Sequence, residues 1–208
     1  MIIFLKTNYI GCDFVELEEY KKLIKTKMSD YRFTHSVNVS KEARKLAKLY
    51  GADEKKAEVA GILHDITKEI PKEEQLQIIT DSGIILDDVQ KKAPKLWHGI
   101  SGSVYVREKL NIDDEDILNA IRYHTTGRAG MSLLEKIIFV ADFTSAERTY
   151  KGVSTMRKKS RKSLEDAMLY GFKFTFSDLS KRELAIHPDE VFCYNEIVLS
   201  NLSSKGNN

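Results

Sequence analysis

Proline is nearly absent from this chain: Pro71, Pro94 and Pro188 are the only three among 208 residues. A proline removes an amide donor and clashes with the preceding helical turn, so long stretches here are free to stay helical. The apolar residues fall accordingly. Val39, Ala43, Leu46 and Leu49 or Tyr50 form one stripe of a helix expected from Arg32 to Tyr50, ended by Gly51. Asp13, with Glu16 three residues later, is a capping-box-like start for a first helix to Lys25. Asp53 caps a third helix that carries Val59, Ile62, Leu63 and His64, and Pro71 opens a fourth to Ser82. Further helices are expected over Leu86–Lys92, Leu96–Leu110, Asp114–His124, Ser132–Phe143, Thr155–Leu184 and Pro188–Ser200. Strand alternation is almost absent. The expectation is an all-α chain, with an irregular segment over 1–12 and a single helical domain over 13–203.

Charge and cysteine content exclude several function classes. A formal charge of +2 gives no bulk reason to expect a nucleic-acid partner. Cys12 and Cys193 are too few for a disulfide framework, which points to a reduced, cytoplasmic compartment. The apolar start, Met1 to Leu5, is short for a signal peptide and has no basic residue ahead of it. No stretch approaches the roughly 20 apolar residues of a membrane span, so no membrane partner is expected.

The five histidines are His35, His64, His98, His124 and His187. The first four fall on four different expected helices. His64 is followed at once by Asp65, and Asp142 comes after the apolar run Ile137 to Ala141. The steps between these residues each span about one helix and a connection, so a bundle of antiparallel helices can gather them. Singly, a histidine on an apolar face is ordinarily a hydrogen-bonded core residue, and an aspartate near a helix end is ordinarily solvated. Together they raise a different problem. Asp65 beside His64, flanked by Leu63 and Ile66, is costly to bury unless its charge is paired, and Asp142 poses the same difficulty. A divalent cation resolves both. Imidazole and carboxylate donors without thiolate suit iron, manganese, cobalt or zinc.

Several stretches narrow this further. They are Arg32-Phe33-Thr34-His35-Ser36, His64-Asp65-Ile66-Thr67-Lys68, Trp97-His98-Gly99, the run Ala120 to Arg128 with His124-Thr125-Thr126-Gly127, Met131 to Lys136, Ala141-Asp142 and Ile186-His187-Pro188-Asp189. Together they resemble the YqeK family of HD-domain metallohydrolases, which cleave diadenosine tetraphosphate symmetrically to two ADP. The resemblance runs from about residue 16 to 200. It implies an HD-domain helical bundle with a metal site between helices and two divalent ions, iron first and manganese, cobalt or zinc as alternatives. By the same resemblance His35, His64, Asp65 and Asp142 hold one ion and His98 and His124 the other, with Asp65 shared and catalytic. A metal-activated hydroxide attacks the polyphosphate. The implied partners are a nucleotide substrate and an ADP- or GDP-like product, and a homodimer through the long late helix is open.

Around these positions, Lys68 lies on the ligand face of its helix end, a site for gripping phosphate in catalysis or for offsetting the helix dipole. Thr125, Thr126, Gly127 and Arg128 suggest an anion cradle, with a plain helix C-cap as the alternative. The resemblance places a phosphate-binding arginine at Arg148. Relatives commonly carry Glu-Pro where this chain has Ser145-Ala146, a departure expected to change loop shape and nucleotide preference without touching a ligand. The basic run Arg157-Lys158-Lys159 with Arg161-Lys162 reads as a solvated face, Trp97 as core, and His187 as the entry to the last helix. Two other readings stay open. One is a different HD nucleotide phosphohydrolase, such as a nucleoside monophosphate phosphatase or a cyclic-nucleotide phosphodiesterase. The other is a nucleotide-binding regulatory module with a structural metal.

Overall fold

Side-chain caps set where most of the helices begin. A computed structural model describes residues 12–205, with side chains from 17 to 203. Its α-helices are α1 (Cys12–Lys25), α2 (Asp30–Tyr50), α3 (Glu54–Leu63), α4 (Lys72–Asp81), α5 (Asp88–Lys92), α6 (Trp97–Leu110), α7 (Glu115–Tyr123), α8 (Leu133–Thr144), α9 (Val153–Ser160), α10 (Leu164–Lys181) and α11 (Pro188–Lys205). A 3-10 turn, Pro94–Leu96, leads into α6. No strand occurs among the described residues, so the all-α expectation holds. The side chains of Ser29, Asp53, Asp87, Asp114, Ser132 and Ser163 each accept amide hydrogen bonds at a helix start, satisfying donors that the first turn leaves open.

Two expectations change. Asp13 lies inside α1 and is not its cap; of the stretch expected to be irregular, Cys12 is helical and the rest lies outside the described residues. The long helix expected over Thr155–Leu184 is two helices, α9 and α10, parted at 161–163. The reason is local: Ser163 takes an extended conformation and its hydroxyl caps the amide of Asp166, so a new helix starts within a polar run that holds no proline or glycine.

The core lies where α2, α3, α7, α8 and α10 meet. Val39, Ala43 and Leu46 of α2, Ile62 and Leu63 of α3, Leu118 and Ile121 of α7, Ile137 to Ala141 of α8, and Met168 and Phe172 of α10 are all buried. Burying each large aliphatic or aromatic side chain stabilises the fold by about 1.5–3 kcal/mol. Two glycines let helices approach more closely than any other residue would allow. A Cβ on Gly61 would stand 2.7 Å from the Ser40 Cα of α2, and one on Gly99 would stand 2.7 Å from the Arg122 carbonyl oxygen of α7. These contacts draw α3 onto α2 and α6 onto α7 next to the histidines. Trp97 sits in a smaller cluster with Ile79, Leu86 and Ile100, and its indole donates to the Gln90 carbonyl at 2.7 Å. Among the described residues no helix is long and apolar enough to cross a membrane.

Candidate metal centre

Four imidazoles and two carboxylates converge between α2, the end of α3, the start of α6, the end of α7 and α8. His35 faces inward from the second turn of α2; His64 and His124 cap the C-termini of α3 and α7; His98 is the second residue of α6; Asp142 is near the end of α8. All four histidines and Asp65 are almost completely buried. His35, His64 and Asp142 offer donor atoms within 4.8 Å of one another, as do His64, Asp65 and His124.

Asp65 faces two ways. Its Oδ2 lies 3.5 Å from His64 Nε2 and 3.8 Å from His35 Nε2, while its Oδ1 lies 3.3 Å from His98 Nε2 and 3.6 Å from His124 Nε2. One carboxylate therefore serves two imidazole pairs. Asp142 adds a second carboxylate to the first pair, its Oδ1 3.0 Å from His35 Nε2.

The donor atoms fit a cation. The Nδ1 of His64, His98 and His124 lies 2.7, 2.8 and 2.7 Å from the carbonyl oxygens of Gly61, Lys95 and Ile121. A carbonyl only accepts, so each Nδ1 carries a proton and Nε2 is the ring nitrogen that faces inward as the available donor atom. Yet His98 Nε2 and His124 Nε2 are 3.0 Å apart, and His64 Nε2 and His35 Nε2 are 3.3 Å apart. Facing lone pairs at such distances repel unless a positive charge lies between or beside them. Asp65 Oδ1 is buried without a hydrogen-bond partner, which is costly for a charged oxygen. Burial opposes the ionisation of Asp65, but His64, His124 and His98 hold it well below the usual carboxylate range. For Asp142, burial is likewise outweighed, by His35 and Arg148. Burial and the charge of Lys68 push His98 well below its ordinary value. Ionised carboxylates beside a His98 held toward its neutral form are what divalent ions require.

With this geometry in place, comparison with known proteins is decisive. The HD-domain family model matches residues 32–147, the segment that contains every one of these residues. The chain is 41% identical to the Bacillus subtilis (strain 168) protein named bis(5'-nucleosyl)-tetraphosphatase, symmetrical, over 87% of this chain and 97% of that one. It is 32% identical to the Staphylococcus aureus protein of the same name, over 87% of this chain and 94% of that one. The chain belongs to the YqeK family of HD-domain proteins. A solved structure from Clostridium acetobutylicum, described as a predicted HD superfamily hydrolase involved in NAD metabolism, superposes with a TM-score of 0.86 at 35% identity, covering 88% of this chain and 97% of that one.

Cationic groups ring the centre of this YqeK-family protein. Lys68 Nζ is 2.9 Å from His98 Nε2 and 3.8 Å from Asp65 Oδ1, and burial lowers its pKa from the ordinary lysine value. The Arg148 guanidinium pairs with the Asp142 carboxylate, and its Nε donates to the Asp142 carbonyl at 2.9 Å. Arg32, which sequence reasoning did not single out, donates from Nη1 to Asp65 Oδ2 at 2.6 Å, and its buried Nε makes no hydrogen bond but lies 3.7 Å from Glu69 Oε1. The arginine was visible ahead of His35, but its target lies in the next helix hairpin and left no periodic signal.

The expected anion cradle divides. Thr125 belongs to the centre, its hydroxyl 3.1 Å from His124 Nε2 and 3.3 Å from His98 Nε2. Thr126 donates to the Gly127 carbonyl and turns inward. The Gly127 amide donates to Tyr123 at 2.7 Å, closing α7, and the α-carbon, at a positive φ of 65°, faces Cys193, Met131 and Phe172. The Arg128 guanidinium is held in a two-pronged pair by the buried Glu135 at 2.7 and 2.8 Å. That part of the turn is therefore a helix C-cap docked on the α8 N-terminus.

In the 144–148 loop, the Ser145 and Ala146 side chains contact no ligand side chain, in line with expectation. Ser145 reaches a ligand candidate through one intermediary: its hydroxyl donates to Glu147 at 2.6 Å, and Glu147 Oε1 lies 2.5 Å from His35 Nδ1. Arg157, expected on a solvated face, donates to the carbonyls of Thr144, Ser145, Ala146 and Arg148 at 3.0, 2.6, 3.3 and 3.1 Å and pins this loop. His187 takes a structural role: its Nδ1 accepts from the Asp189 amide and its Nε2 meets Asp87, tying α11 to the cap of α5.

Proposed function

We propose that this chain is a symmetrical dinucleoside-tetraphosphate hydrolase, taking diadenosine tetraphosphate and water to two molecules of ADP. The observation that carries it is the identity, along nearly their whole length, to relatives named for that reaction. The geometry supplies the means. His35, His64, Asp65 and Asp142 hold one divalent ion and His98, His124 and Asp65 the other, with iron the first to test and manganese, cobalt and zinc the alternatives. Bound there, the ions supply Lewis acidity and acidify water for attack on phosphorus. Asp65 keeps the two halves of the centre in register. Lys68 and Thr125, poised over the His98–His124 pair, donate hydrogen bonds to the phosphate that leaves with ADP, and Arg32 and Arg148 bind the flanking phosphates. Gly127 and Arg128 are not in the substrate-binding set.

Charge favours a polyphosphate over a monophosphate. Around the imidazoles the carboxylates of Asp65, Glu69, Asp142 and Glu147 face the cations Arg32, Lys68 and Arg148. Two divalent ions would make the centre as a whole cationic, which suits a substrate with several ionised phosphates. The test is to incubate metal-loaded protein, in separate iron, manganese, cobalt and zinc forms, with diadenosine tetraphosphate and separate the products. ADP alone is the expected result. AMP with ATP contradicts symmetric cleavage, and tight ADP binding without turnover favours a regulatory module.

A further inference from the structure

The four histidines of the centre are not oriented alike. His64 and His124 stand at helix C-termini, where the last carbonyls have no intrahelical partner, and each bonds such a carbonyl three residues back. His98, at the start of α6, uses a carbonyl of the 3-10 turn in the same way. His35 has no such option. It lies in the second turn of α2, where the nearby carbonyls belong to the helical ladder. Its Nδ1 is met instead by Glu147, a residue 112 positions away, at 2.5 Å.

Glu147 is itself held firmly. Its Oε2 accepts from Asn38 Nδ2 at 2.7 Å, one turn beyond His35 on α2, and its Oε1 accepts from Ser145 Oγ at 2.6 Å. The loop that carries it is pinned by Arg157. We propose that Glu147 is a positioning residue for His35: it fixes the ring with the proton on Nδ1, turns the Nε2 lone pair toward the ion shared with His64 and Asp142, and strengthens that donor. A carboxylate behind an imidazole raises its basicity toward a metal more than a carbonyl does. This rests on the reading of His35 as a ligand.

The test uses zinc- and manganese-loaded full-length protein and does not read turnover. Affinity is measured by competition titration against a chelator for the unaltered protein, Glu147→Gln and His35→Ala. In the zinc form, the proton on His35 Nδ1 is observed by NMR, where a carboxylate acceptor shifts it further downfield than the carbonyls shift those of His64, His98 and His124. The expected result is a loss of affinity on the order of 10–100-fold in Glu147→Gln, an upfield move of the His35 signal alone, and a larger affinity loss in His35→Ala. If His35→Ala weakens metal binding while Glu147→Gln leaves affinity and the His35 signal unchanged, the positioning role is overturned and the ligand reading stands. If His35→Ala binds both ions with full affinity, the ligand reading fails and takes the positioning role with it.

Discussion

The two halves of the metal centre are built differently. The His35–His64 half has Asp142 as a carboxylate of its own, an arginine against that carboxylate and a glutamate behind one ring. The His98–His124 half has no carboxylate besides Asp65; its neighbours are the Lys68 ammonium and the Thr125 hydroxyl. The first half is anion-rich and suits a tightly held cation. The second offers fewer negative donors and more hydrogen-bond donors, and suits a cation that shares its coordination with substrate. On the proposed reading, the first half would anchor its ion and the second would meet the substrate.

Removing what the halves share has the largest expected effect. Asp65→Ala is expected to lose both ions, seen by elemental analysis, with turnover below detection and helical circular dichroism retained; normal activity in this variant ends the shared-carboxylate reading. Breaking one half at a time is the next test. His124→Ala is expected to lose the second ion and His64→Ala to weaken the more tightly held first one, so that metal content falls by one ion and by less than one respectively; equal losses would erase the asymmetry. Lys68→Ala is expected to lower kcat by about 10²–10³-fold, the usual cost of removing one donor to developing charge, with metal content unchanged.

Smaller effects separate the two arginines once grouped with the substrate. Arg148→Ala is expected to raise KM by about 10–100-fold, as for a lost charge-assisted hydrogen bond. Arg128→Ala is expected to leave kcat/KM near the starting value and to cost about 2 kcal/mol of stability by leaving buried Glu135 short of donors, read as a lower Tm; a large loss of kcat/KM here would return Arg128 to the substrate. Last, Ser163→Ala removes the cap of α10 and is expected to cost about 1 kcal/mol, measured by denaturant unfolding, with no effect on either ion.

Much of the fold was legible because helix starts are written locally. Asp53, and Ser132 with Glu135, carry their capping partners within three residues. The break before α10 carried the same kind of mark, Ser163 followed by Asp166, but no proline or glycine lies between Gly152 and Gly171 to make the stop visible. The histidines and aspartates were legible as a set because each is a costly residue to bury and all recur at helix spacing. Arg32 and Glu147 were not. An arginine and a glutamate are unremarkable on any helix or loop, and their meaning lies in pairings across 33 and 112 residues. Arg157 shows the same limit: its basic neighbours suggested solvent, while its guanidinium serves four backbone carbonyls.

The contact at Gly99 has a consequence for which cations the second half admits. The separation of His98 and His124 is set where the α6 backbone rests on the α7 backbone, with no side chain between to yield. Each ring is also tethered to its own main chain, to Lys95 and Ile121. The aperture between the two imidazoles is thus a dimension of the scaffold, like the jaw of a fixed wrench. Resizing this half requires moving a helix, and the Gly61 contact of α3 on α2 fixes the His64 side of the first half in the same way, leaving Asp142 and Glu147 as the parts that side-chain exchange can retune.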